Sequence, residues 1–201
     1  MESLKRHNRL FWLFLGVWAF LFVAFSHFVL QKYLFLQPCE QCVYIRYALV
    51  VLGFGCMIIA ICPKSIVGFF GTLICAYALI KGIIAALTLN GIQKALQSET
   101  FIFGLKGCSL SPKFDFNLPL DVWIPTLFAP SGFCGRDIPI LEGITNVQLS
   151  PLQEKFIALY YEGWYLIPAL KFGTMAECAL CIFVFYIVGI TILFLVNFLK
   201  K

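Results

Sequence analysis

The sequence predicts an all-α integral membrane protein, a four-transmembrane-helix bundle with a short first and a long second outer loop. Three observations carry this. Of 201 residues, 61% are hydrophobic and only 12% are charged, against about 25% charged in soluble domains. Mean hydropathy is +0.91. Four runs reach the ~20 apolar residues that a helix needs to cross a hydrocarbon core. None shows the alternation of a barrel strand, which leaves helices as the spanning structure.

The first span, residues 10–30, reads LFWLFLGVWAFLFVAFSHFVL. Basic residues before it and Ala24-Phe25-Ser26 within it imitate a cleavable leader, but the run continues through Phe28, Val29 and Leu30. That is too long for a signal core. His27 near its outer end reads as an interfacial or packing residue. The second span, about 43–62, is broken by Arg46; the third, 66–89, carries Lys81; the fourth is about 175–199. Residues 1–201 therefore read as one membrane domain with loops at 31–42 and 90–174.

Orientation follows from the cations. Lys5, Arg6 and Arg9 precede the first span, Lys64 joins the second to the third, and Lys200 and Lys201 follow the fourth. An even number of spans puts all of these on one side, while the opposite short loop holds only Lys32. The positive-inside rule then makes both termini cytoplasmic and turns both loops outward. Long loops are exempt from that count, so Lys94, Lys106, Lys113, Arg136, Lys155 and Lys171 do not oppose it. The net charge of +5 lies at the ends of apolar runs rather than in a patch, which argues against a nucleic-acid partner. No metal-ligand cluster, nucleotide loop or hydrolase motif stands out.

Of nine cysteines, Cys39 and Cys42 fall in the first outer loop and Cys108 and Cys134 in the second. On the outer side of a membrane these four meet an oxidising compartment, where disulfides persist. In a reducing cytosol they would suggest zinc instead. Cys56, Cys62 and Cys75 read as small buried hydrophobes. Cys178 and Cys181 form a second Cys-x-x-Cys on one helix face, but no cation stands near them and Glu177 opposes a thiolate. For Cys108 and Cys134 the plainer reading is a structural disulfide, worth about 3 kcal/mol by loop closure.

The first pair has different surroundings. In QPCEQCVYIR, residues 37–46, Pro38 fixes the backbone on entry. Cys42 is expected at or just before the first turn of the second helix, where free N–H groups and the helix dipole favour an anion. Arg46, four residues on, shares its face. Both effects favour the Cys42 thiolate and make it the better leaving group. Such a disulfide opens readily at Cys39. The plainer reading of Arg46 is a side chain snorkelling to the interface.

The long loop has its own signals. SPLQ at 150–153 reads as a Ser N-cap, Pro at N1 and Gln at N3. Leu152, Phe156 and Leu159 or Tyr160 then form one apolar stripe, and Trp164 and Tyr165 suit the membrane interface. A helix lying on the bilayer is expected, with a helix packed on the protein as the alternative.

PCEQCVYIRYA, the Cys108/Cys134 pair in a second outer loop and the four spans resemble the DsbB family of bacterial inner-membrane thiol oxidases. LNGI at 89–92, GCS at 107–109, FNLPL at 116–120 and GWYLIP at 163–168 resemble its DsbI branch. The resemblance covers about residues 30–175. It implies a multi-pass protein of the bacterial inner membrane with periplasmic loops, working as a quinone-dependent protein-disulfide oxidoreductase. A reduced periplasmic thioredoxin-fold oxidase, DsbL- or DsbA-like, would attack Cys108 of a Cys108–Cys134 disulfide. Cys134 would then attack Cys39, and Cys42 would pass the electron pair to a quinone, ubiquinone or menaquinone. Arg46 would stabilise the Cys42 thiolate and polarise a quinone carbonyl. The histidine that this family often places as a quinone contact is missing, leaving Gln93 or Lys94 for that place. About forty residues separate Cys134 from the fourth span, a longer stretch than in DsbB-type members.

Two other readings follow from the same residues. A bundle like vitamin K epoxide reductase would use Cys178 and Cys181 as its redox pair. A membrane scaffold or transport component would keep its loop disulfides closed in the presence of reduced partner.

Overall fold

The computed structural model describes residues 2–63, 65–97, 108–135, 137–141 and 149–199. Lys64, Lys106, Gly107, Arg136, Lys200, Lys201 and the side chains of Lys5 and Arg6 lie outside the described residues. Four long helices dominate. They are α1 (Glu2–Phe25, continued by a π-helical stretch, Ser26–Tyr33), α2 (Glu40–Ile61), α3 (Ile66–Gln97) and α7 (Met175–Leu199). Each contains a segment long and apolar enough to cross a membrane: Asn8–Tyr33, Glu40–Ile61, Ile66–Leu96 and Met175–Leu193.

Hydropathy located the oily centres of these helices, and local bonding moved their ends. The π-helical stretch carries α1 on to Tyr33. Cys39, with ψ at 170°, caps α2 by accepting the Cys42 N–H on its Sγ at 3.3 Å. Helix therefore begins at Glu40, although Glu40 and Gln41 are polar. The first loop shrinks from the expected 31–42 to residues 34–39.

α2 is the central helix, packed on α1 and α3, with α7 against α3. One buried cluster joins Leu15, Ala19, Leu52, Cys56, Cys75, Ala78 and Tyr186. A second, at the end of the bundle where α2 begins, joins Cys39, Cys42, Ala48, Leu89, Ala179 and Phe183. Gly82 lets α7 come close, because a Cβ there would collide with the Phe183 ring. Small residues at such crossings give the backbone contact that drives helix association in lipid. Tyr186 Oη donates to Leu15 O at 2.8 Å, tying α7 to α1. Cys56 and Cys75 pack between α2 and α3 with their sulfurs 3.8 Å apart. Outward-facing positions such as Phe14, Leu21, Phe69, Phe70 and Val184 are exposed and apolar, the surface a bilayer covers.

The second loop contains short helices α4 (Leu120–Trp123), α5 (Pro125–Phe128) and α6 (Pro151–Leu159). An antiparallel pair follows, β1 (Tyr165–Ile167) with β2 (Phe172–Thr174), which the sequence reading did not anticipate. In α6, Ser150 Oγ accepts the Gln153 N–H at 3.2 Å, and Leu152, Phe156 and Leu159 are exposed as a stripe turned away from the protein. Gln153 Nε2 donates to Tyr33 O at 2.8 Å, holding α6 to the end of the first span. Lys81 pins the loop on the other side: its Nζ lies 2.7 Å from Asp115 Oδ1, and the Tyr77 hydroxyl bonds the same carboxylate.

Candidate redox centre

Cys39 and Cys42 lie at the start of α2 with their sulfurs 2.7 Å apart, both buried. Cys108 and Cys134 are joined as a disulfide with Cα atoms 5.8 Å apart. Cys108 is exposed, whereas Cys134 is 6% exposed and belongs to the same buried cluster as Cys39 and Cys42. An incoming thiolate can reach one sulfur of that bridge and not the other.

The two pairs meet because the Cys134 limb docks on the chain just before Cys39. Pro38 O accepts the N–H groups of Ser131 at 2.9 Å and Gly132 at 3.0 Å. Ser131 Oγ donates to Gln37 Oε1 at 2.5 Å. Gly132 is required by this approach, since a Cβ there would run into the Gln37 carbonyl. The isolated bridge between Leu36 and Pro139 extends the same contact.

Arg46 is buried rather than snorkelling, at 4% exposure. Its Nε donates to Ser26 Oγ at 2.7 Å, Nη2 to Ser26 O at 3.2 Å, and Nη1 to Gln31 Oε1 at 2.8 Å and Leu127 O at 3.3 Å. The planar fork is thus set by α1 and α5. Ser26 and Gln31 escaped the sequence reading. They sit five apart, and the π-helical stretch, a feature often found at functional sites, brings both to the guanidinium. His27 Nδ1 lies 3.2 Å from Gln31 Oε1, which places His27 at the edge of this network.

Arg46 and Cys42 line one cavity of about 400 Å³ with Trp18, Phe22, Trp164 and Met175. The volume is within the range of small-molecule sites, about 300–1,000 Å³, and the apolar wall with a few polar groups is their usual character. A flat, apolar, carbonyl-bearing ring fits this lining. Trp164 and Leu166, from the stretch that lengthens the second loop, form part of the wall.

Comparison with known proteins decides the family. The model for "Disulfide bond formation protein DsbB" matches residues 8–193. The chain belongs to the DsbB family.

Among its relatives in that family, it is similar to a chain of Campylobacter fetus subsp. fetus that carries the name DsbI. The two are 43% identical over 186 residues, covering 89% of this chain and 84% of the relative. It is 42% identical over 184 residues to "Protein-disulfide oxidoreductase DsbI" of Salmonella typhimurium, covering 89% and 80%. The same-named protein of Escherichia coli O1:K1 is 41% identical over 184 residues, covering 89% and 81%. No solved structure matches the chain. As a member of the DsbB family, the protein is a multi-pass membrane oxidoreductase of protein disulfides.

Neither candidate for the missing histidine reaches the cavity beside Arg46. Lys94 is exposed. Gln93 is buried and turns toward the second loop, its Nε2 donating to Asp137 Oδ2 at 2.6 Å. Gln93 and Asp137 line a separate cavity of about 180 Å³. Burial pushes the Asp137 carboxyl up to about 6, against the Gln93 hydrogen bond that lowers it. A carboxyl raised in the fold contributes stability below its unfolded pKa and loses it as pH rises through about 6. Asp137→Asn removes that loss, so the variant gains about 2–3 kcal/mol over the parent at pH 8 and next to nothing at about pH 3, below the unfolded pKa. Thermal unfolding in detergent at the two pH values checks this.

Cys178 and Cys181 are free. Cys178 Sγ lies 3.7 Å from Gly173 O and borders the cavity, while Cys181 faces outward. Among the described residues, neither has a cation beside it to favour a thiolate. The Cys178→Ser/Cys181→Ser variant is therefore expected to keep its oxidase turnover. Loss of turnover would move the redox pair to the fourth span, the arrangement of a vitamin K epoxide reductase-like enzyme.

Proposed function

We propose that this protein reoxidises a periplasmic thioredoxin-fold dithiol oxidase, DsbL- or DsbA-like, and delivers the electrons to a quinone of the inner membrane. Residues 1–201 act as one membrane domain, with cytoplasmic termini and periplasmic loops between the first and second and the third and fourth spans. The observation that carries this reading is the place of Cys42. It lies against Cys39 in the cluster that holds Cys134, and it also lines the cavity beside Arg46.

The partner's thiolate bonds to the exposed Cys108 Sγ, and the Cys108–Cys134 bond breaks, leaving the electron pair on Cys134. Cys39 and Cys42, free and with sulfurs 2.7 Å apart in this structure, are joined as a disulfide in the oxidised form that enters the relay. The Cys134 thiolate bonds to Cys39, and the Cys39–Cys42 bond breaks, leaving the pair on Cys42. The partner's second thiolate then attacks its own sulfur on Cys108 and leaves as oxidised partner. The freed Cys108 thiolate attacks Cys134, re-forming Cys108–Cys134 and releasing Cys39 as a thiol. Arg46 holds a positive charge on the cavity wall, where it attracts the anion formed at Cys42 and orients a carbonyl acceptor. The aromatic wall excludes water from that step. When bound, the quinone, ubiquinone or menaquinone, supplies the two-electron and two-proton acceptor that leaves as quinol.

The test is quinol formation by the purified chain in detergent, supplied with reduced thioredoxin-fold oxidase and a soluble quinone. Catalytic oxidation of the partner with one quinol per disulfide is expected. If the loop disulfides stay closed in the presence of reduced partner, they are structural bridges and the proposal fails.

A further inference from the structure

Glu40 stands between Cys39 and Cys42, is 7% exposed, and is hydrogen-bonded through both carboxylate oxygens. Oε2 accepts the Ser109 N–H at 2.6 Å, and Oε1 accepts the Tyr44 hydroxyl at 2.9 Å. Tyr44 Oη in turn accepts the Lys113 N–H at 2.8 Å. Glu40 and Tyr44 are one helical turn apart and so share a face of α2. Together they grip the main chain just after Cys108 at two points. The Cys134 limb is gripped separately, by Pro38 O.

A buried carboxylate is costly unless it is fully bonded, and disulfide exchange itself needs no carboxylate. The bonding partners indicate its purpose. We propose that Glu40, with Tyr44, is a positioning clamp that holds the Cys108 limb still while that cysteine carries the incoming partner. The inference rests on the relay of the preceding section. When the partner's thiolate bonds to Cys108 and the Cys108–Cys134 bond breaks, the electron pair resides on Cys134. That thiolate has two targets. It can return to Cys108 and expel the partner, or bond to Cys39 and expel Cys42. With residues 109 and 113 fixed to α2 and residues 131 and 132 fixed to Pro38, the Cys39 route starts from a preset geometry. Orientation of this kind is a large share of what an intramolecular step gains. Without the clamp, the loaded limb swings with its partner and forward passage loses that advantage.

The test uses the full-length chain in detergent, mixed rapidly with reduced thioredoxin-fold oxidase, quenched with acid and alkylated. Two steps are read: formation of the mixed disulfide at Cys108, and passage of the pair to Cys39 and Cys42. Glu40→Ala and Tyr44→Phe are expected to form the mixed disulfide at nearly the parental rate. Passage slows about tenfold, the effect of losing one hydrogen bond to a charged group. Glu40→Gln keeps an acceptor for the Ser109 N–H and recovers part of the rate. Passage at the parental rate in Glu40→Ala overturns the clamp, and so does equal slowing of both steps, which marks a general structural defect. If the parent itself passes nothing from Cys108 to Cys39, the relay fails and the clamp with it.

Discussion

Cys42→Ser is expected to stop quinol formation, lowering the rate on the order of a thousandfold or more, as loss of a reacting nucleophile does. A serine hydroxyl cannot form or leave a disulfide, so Cys39 has no intramolecular bond for Cys134 to open. The Cys108–Cys134 bridge is untouched by the substitution and remains exposed at Cys108. The variant should therefore oxidise about one equivalent of reduced partner and then stall. Stopped-flow absorbance for quinol, together with alkylation of the partner's thiols, separates that single turnover from catalysis. The swap is nearly isosteric, so thermal unfolding should move little. Quinol formation at a rate near the parent's would remove Cys42 from the electron path.

Arg46→Ala should lower quinol formation about a hundredfold, the usual cost of removing a preorganised group that stabilises developing charge. The loss should fall on the quinone step, because Arg46 lines the cavity with Cys42 while the docking of the two loops runs through Pro38 and Glu40. Rapid-quench experiments should show transfer from Cys108 to Cys39 persisting while quinol appears slowly. Arg46→Lys keeps the charge but lacks the fork that reaches Ser26, Gln31 and Leu127 together, so it should recover only part of the rate. Equal loss in both steps would make Arg46 a residue of the fold alone. Because the guanidinium is buried, Ser26→Ala and Gln31→Ala provide the milder control: they loosen its orientation and leave its charge in place.

Much of this protein is local enough to be read from its chain. Four oily runs become helices because no other backbone arrangement satisfies its own hydrogen bonds in lipid. Ser150 caps α6 as SPLQ indicates, because a cap involves neighbours in sequence. The spacing of Cys42 and Arg46 places them on one face of α2, and the structure finds both on one cavity. The helix ends were less legible, since the cap at Cys39 and the π-helical stretch at Ser26–Tyr33 depend on bonding rather than hydropathy.

The assembly around those residues came only from the tertiary structure. Glu40 and Ser109 are 69 residues apart, and Gln37 and Ser131 are 94 apart, yet these contacts bring the second loop onto the first. Gln93, one of the two expected quinone contacts, turns instead to Asp137. Contacts across such distances leave no periodicity or spacing in the chain, because they form only after the helices have packed and offered each loop a surface. The sequence alone determined which residues are candidates for thiol chemistry. The packed bundle decided which of them touch, since only there do an N–H and a carboxylate from distant segments find each other sheltered from water.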